Sequence, residues 1–184
     1  MRKWTVVTTA SFVVSSAVLG SCAPLVAAST TQLVINGDGL NVVRLRTPES
    51  TAVKKISALL GAPTTPLSPT PMLRKCGVNS IAKWHAFSLY FNHSRLVGLS
   101  LGPGREPLGR TSVGLEVGNT LRRARALYGK SLRVSTNQGG AWFVMTTSGH
   151  LNGFLSPSSG RSPTPDAKVL TIDVGNVGCP AMSP

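Results

Sequence analysis

Few residues of this chain are arranged for chemistry. Gly98-Leu99-Ser100-Leu101-Gly102 fits the pattern G-x-S-x-G. A nucleophile elbow needs a strand, a sharp turn on the serine and then a helix. Ser100 instead lies inside an alternating, strand-like run, and Gly102-Pro103-Gly104 follows it. The chain order Ser100, His150, then Asp166 or Asp173 is also foreign to that hydrolase fold. The three histidines, His85, His93 and His150, are scattered, with no H-E-x-x-H and no Cys/His metal spacing. Of the six carboxylates, Asp38, Glu49, Glu106 and Glu116 sit in or beside turns, where capping or solvation explains them. None of the carboxylates is paired in an obvious way, whereas a glycosidase needs two that face each other. Asn36-Gly37-Asp38-Gly39 begins like a calcium loop but lacks the spaced acidic ligands and the closing glutamate. The expectation is a protein without metal or cofactor that is not an enzyme. A secreted serine hydrolase using Ser100 stands as the alternative.

Binding is better represented than catalysis. The 19 Lys plus Arg against 6 Asp plus Glu give a formal net charge of +13, which favours contact with anionic surfaces. Arg122, Arg123 and Arg125, with Lys130 and Arg133, form the densest basic patch. It suits phospholipid headgroups, an anionic wall polymer or an acidic protein, and equally a solvated helix face. No aromatic residues interleave the arginines, which argues against nucleic acid. Trp84 and Trp142 occupy comparable places after two helical stretches. Such tryptophans serve either the core or a binding surface.

Two stretches must position these residues. Leu45 to Gly61 reads as a strand end, a turn and an amphipathic helix over 49–60. Thr47 is the expected N-cap, Pro48 the first helical position, Glu49 the acidic first turn and Gly61 the stop. Ala52, Val53, Ile56, Leu59 and Leu60 form its apolar stripe, and Lys54 and Lys55 point away. Leu115 to Gly129 echoes it, with Asn119 as cap and Leu121, Ala124, Leu127 and Tyr128 as stripe of helix 120–128. Strands are expected at 32–35 and 40–45 around an Asn-Gly-Asp-Gly turn. Others fall at 83–91, with its partner 95–101, and at 113–117, 132–135, 142–147, 151–155 and 169–174. In the run 83–91, strict alternation places Phe87 on one side and Trp84 on the other. Ala62 to Pro71, with four prolines, is an extended connector.

The N-terminus reads as an export signal: Arg2 and Lys3, an apolar run from Trp4 to Leu19, then small residues. Leu19-Gly20-Ser21-Cys22 resembles a lipobox, which makes Cys22 a lipidated N-terminus, residues 1–21 the signal and 22–31 a tether. Cleavage after Ala28 would instead release a secreted protein. Either way two cysteines remain, Cys76 and Cys179, and an exported chain pairs them.

Asp38-Gly39-Leu40, Val42-Val43-Arg44, Thr47-Pro48, Leu60-Gly61-Ala62-Pro63-Thr64, Cys76, Trp84, Gly114-Leu115, Gly118, Thr120 and Cys179 together resemble a group of actinobacterial exported proteins. Arg46 departs from that group, which often has glycine before Thr-Pro. More distantly, a helix followed by antiparallel sheet, twice over, looks like the tandem β-lactamase-inhibitor-protein fold and the small outer-membrane assembly lipoprotein. The resemblance implies non-catalytic binding, although a bridge between the two copies departs from that inhibitor's within-copy disulfides. The expected class is α+β, two tandem units (32–104 and 105–184), each a short helix plus antiparallel sheet. The expected role is an exported, lipid-anchored binding protein of the cell envelope, with an envelope protein or an anionic surface as partner.

Overall fold

The computed structural model describes residues 32–64, 68–104, 108–137, 140–146, 150–156, 162–175 and 177. The expected export segment with Cys22, the expected tether as far as Thr31, and Cys179 lie outside them.

β1 (Leu33–Asn36) turns through Gly37-Asp38 into a two-residue β2 (Gly39–Leu40). The expected strand 40–45 goes no further, because the chain folds back on itself. The Leu40 amide donates to the Val43 carbonyl and the Leu45 amide to the Asp38 carbonyl, and Arg46 takes a left-handed φ of 71°. α1 (Glu49–Leu60) follows as expected, but Thr47 does not cap it. The Thr47 backbone is engaged with the sheet, its carbonyl accepting from Leu96, and the Ser94 carbonyl accepts from the Glu49 amide. A loop of the sheet thus satisfies a donor at the helix start that a side chain was expected to satisfy. Ala52 and Ile56 are buried, Val53 and Leu60 half-buried, and Leu59 lies outside the stripe at 37 % exposed.

At the end of the proline-rich stretch a short helix forms, α2 (Pro71–Lys75), capped by the Thr70 hydroxyl, which accepts from the Leu73 amide. Cys76 ends it and is disulfide-bonded.

β3 (Ser80–Trp84), β4 (Phe87–Asn92) and β5 (Arg95–Leu101) make an antiparallel meander. The single strand expected at 83–91 is therefore a hairpin. His85, with φ 46°, turns the chain together with Ala86, without the glycine or asparagine that usually marks such a turn. The reversal sets Trp84 directly opposite Phe87, on the same face of the sheet. The next turn, His93-Ser94, has φ 46° and 55°, the positive values of a two-residue hairpin.

β6 (Gly109–Thr111) pairs parallel with β1 and completes a three-stranded sheet in the order β2-β1-β6. The strand expected at 113–117 is displaced upstream to these residues. The Thr111 hydroxyl accepts from the Leu115 amide and holds 112–115 in a turn. α3 (Leu121–Tyr128) is capped by Thr120, whose hydroxyl accepts from the Arg123 amide. Asn119, the expected cap, instead accepts from the Glu116 amide. β7 (Leu132–Asn137), β8 (Gly140–Met145) and β9 (Leu151–Leu155) form a second meander. β10 (Ile172–Gly175) then inserts between β5 and β9. The result is one seven-stranded antiparallel sheet, β3-β4-β5-β10-β9-β8-β7.

One core serves the whole fold. Phe87, Leu89, Phe91, Leu99, Leu101, Ile172, Val174, Leu151, Leu155, Phe143 and Met145 line one face of the large sheet. Ala52 and Ile56 of α1, Leu121 and Ala124 of α3, and Leu33 and Ile35 of β1 pack against them. Period-two alternation makes one face of these strands apolar, and the helical stripes cover it. Gly153 belongs to this inner face because a side chain has no room there. A Cβ would run into the Thr171 carbonyl and lie 2.7 Å from the Phe143 ring that covers the glycine.

Candidate binding face

The strand registers carry a row of side chains across the opposite face of the sheet. Lys83 faces Ser88, Ser88 faces Ser100, Ser100 faces Asp173, Asp173 faces Asn152, Asn152 faces Val144 and Val144 faces Arg133. The row begins and ends on a cation and has a carboxylate on its central strand. Tyr90 shares the face two residues along β4, and Phe154 and Trp142 flank the row on β9 and β8, all three half-buried.

Asp173 is the unusual member. It is 4 % exposed. The Thr171 hydroxyl donates to its Oδ2 at 2.9 Å, while Oδ1 has no hydrogen-bond donor. Ser100 lies close enough to stabilise the charged form, yet burial outweighs it and Thr171 together and pushes the carboxyl up to about 6. Burial, seconded by the charge of Asp173, likewise raises the Tyr90 phenol above its ordinary value. Trp142 presents the converse defect, a buried indole N–H with no acceptor. Unsatisfied buried polar atoms are uncommon in native proteins. Here a missing donor and a missing acceptor occur on one face.

The residues singled out from the sequence fall in different places. Ser100 sits mid-strand in β5, paired into the sheet on both sides, with no turn to expose it as an elbow would. His150 lies in the next row of the same face, beyond β10, and its carbonyl accepts from the Gly175 amide. Among the described residues no three His, Cys, Asp or Glu side chains converge as metal ligands would. Trp84 is 1 % exposed. Its indole N–H donates to the Gly61 carbonyl at 2.8 Å, and its ring lies 6.1 Å from that of Phe87. It locks the end of α1 to the sheet and offers no surface to a partner, which corrects its place among the binding candidates. Trp142 stays on the outer face.

Arg122, Arg123, Arg125 and Lys130 are all exposed on α3 and the turn after it. Arg122 is paired with Asp166 at 3.0 Å, whereas Arg123 and Arg125 have no ion pair among the described residues. Arg133 is separated from them by its position on β7, on the outer sheet face. The five basic residues therefore split into a helical group and one end of the polar row. Sequence reasoning does not single out Asp173 as a binding residue. The available signal is its place in Val169-Leu170-Thr171-Ile172-Asp173-Val174, a carboxylate inside a strand-like apolar run.

The fold has a solved counterpart. The crystal structure of the uncharacterized protein yfeY from Escherichia coli superposes with a TM-score of 0.53 at 11 % identity, covering 77 % of this chain and 99 % of that one. The likeness is one of fold alone. No protein-family model matches the chain, and no curated protein matches it in sequence.

Proposed function

We propose that this is an exported, non-catalytic binding protein of the cell envelope, anchored by lipid on Cys22, and that the outer face of its large sheet meets the partner. One observation carries the reading: the polar, partly aromatic row on the face turned away from α1, α3 and the core. Antiparallel sheets that bury one face tolerate a solvated second one, and that second face usually carries freely hydrated polar residues. This face instead holds a buried carboxylate and a buried indole N–H that are incompletely bonded, together with half-buried Tyr90 and Phe154. Aromatic residues supply contact area at protein interfaces, and unpaired polar groups find partners there. The meanders β3–β5 and β7–β9, on either side of β10 and each preceded by a helix, support reading 32–104 and 105–184 as two copies of one unit.

Photo-cross-linking tests the face. A benzophenone amino acid at Ser88 or Asn152 should yield a discrete adduct in the native envelope, and one at Ala58, on the exposed side of α1, should not. Equal labelling from the face and from α1, or none from the face, rejects it. Replacement of Cys22 by alanine should abolish metabolic labelling with a fatty acid, and retained labelling rejects the anchor.

A further inference from the structure

Nineteen basic residues serve a chain with six acidic ones, yet among the described residues no cation lies beside the buried carboxylate. The ion pairs among the described residues, Arg44–Asp38 and Arg122–Asp166, join exposed side chains at the surface. Asp173 is covered almost completely; the Thr171 hydroxyl donates to Oδ2, the Ser100 hydroxyl lies nearby, and Oδ1 has no hydrogen-bond donor. A buried charge is normally paired, because desolvation penalises it heavily otherwise. The lysines and arginines of the described residues leave this counter-charge unsupplied.

We propose that Asp173 is the anionic floor of a site for a single N–H-donating cation, an ammonium or guanidinium group, received on the outer sheet face. The inference rests on reading that face as the binding surface. A charged N–H donor completes Oδ1 with a charge-assisted hydrogen bond. Tyr90 and Phe154, on the same face on either side of the Asp173 row, give such a cation aromatic neighbours. The unpaired N–H of Trp142 takes an acceptor carried by the same ligand. Both orphan atoms are shielded from water, so the ligand displaces a side chain of the face to reach them. Lys83 and Arg133 at the two ends of the row, and the strongly positive chain, select against polycations and for one isolated cationic group.

The test is a titration of the isotope-labelled protein, followed through its amide and indole NMR signals, with ethylammonium, ethylguanidinium and tetramethylammonium chlorides at fixed ionic strength. Ethylammonium, with three non-hydrogen atoms, binds no tighter than about 0.5 mM, so the titration runs into the millimolar range. Saturable shifts centred on Gly98–Leu101 and Ile172–Gly175 are expected from the first two salts. Tetramethylammonium, which has no N–H, should bind at least about tenfold more weakly. Asp173→Asn should weaken ethylammonium by at least about tenfold, with a melting curve showing that the variant is folded. No saturable shift, equal binding of tetramethylammonium, or equal binding by the folded variant overturns the proposal.

The cross-linked adduct separates the sources of the cation. An adduct lost in Asp173→Asn assigns it to a lysine or arginine of the partner protein. An adduct retained while amine binding is lost assigns it to a free small amine. If the amines do not bind but the adduct still forms, the binding face stands and the cation site falls. If neither occurs, both fall.

Discussion

Replacing Asp173 by asparagine should stabilise the protein near neutral pH. The substitution keeps the shape and an oxygen that accepts from Thr171, and it removes the charge. In the folded protein the carboxyl is raised from 3.8 to about 6. At ~1.4 kcal/mol per pH unit, ionised Asp173 therefore costs about 3 kcal/mol relative to the unfolded chain. Burying an amide recovers less than the whole, so a net gain of about 2 kcal/mol is expected. That corresponds to about 4–8 °C in Tm for a chain of this size. The pH dependence has a definite sign. Between about pH 4 and pH 6 the native state binds more protons than the unfolded state, so this group makes stability fall as pH rises. The penalty is absent below about pH 4 and complete above about pH 6. Tyr90 is the titratable group nearest on β4. β5 and β9 present uncharged Ser100 and Asn152, His150 lies in the next row of the face just ahead of β9, and Lys83 and Arg133 lie three strands away on either side. The assay is urea denaturation of wild type and Asp173→Asn, with the disulfide intact, at about pH 8 and about pH 4. The difference should be about 2 kcal/mol in favour of the variant at the higher pH and should turn slightly in favour of wild type at the lower. A variant less stable than wild type at the higher pH would refute the reasoning, since it would mean that the carboxylate is already well paired.

Gly153→Ala should cost about 3 kcal/mol or more, because its methyl group meets the Thr171 carbonyl and the Phe143 ring, and urea denaturation would show it. Thr120→Ala removes the side-chain cap of α3 and should lower stability by about 1 kcal/mol in the same assay. If α3 meets an anionic surface, charge reversal at Arg123 and Arg125 should abolish retention on acidic liposomes. Wild-type retention should then weaken steeply from low salt to about 0.5 M. Salt-insensitive retention would reject that role.

The helices were legible because their signals are local. A stripe of Ala52 and Ile56, or of Leu121 and Ala124, and a glycine after each helix do not depend on the rest of the chain. Their caps were less so. Thr47 looks like a cap, but its backbone is taken by β5, and tertiary pairing decided the outcome. The β3–β4 hairpin was hidden by composition. His85 adopts a left-handed conformation that its sequence neighbours do not announce, so the alternating pattern reads straight through it. That one missed turn moved Trp84 from the outer face to the core. The polar row could not be read at all, because it joins residues from seven strands through their registers. Of its members Ser100 drew attention, for a motif that its mid-strand position does not suit. The expected export signal, lipobox and pairing of Cys179 fall outside the described residues.

The central place of β10 has a consequence for biogenesis. The strand that joins the two meanders is the last of the ten described strands to be synthesised. Until Ile172 to Gly175 arrive, β5 and β9 are both open edges, long enough to pair with other chains. The first meander therefore waits, with its edge unprotected, through the synthesis of the whole second one. Leu101 and Ile172, which pair across these strands, are far apart in sequence, which makes closure slow. A chain exported in an unfolded state would benefit from this delay, because the sheet cannot lock before β10 is delivered. A nick or truncation ahead of Ile172 would leave two aggregation-prone halves and no sheet to hold Asp173.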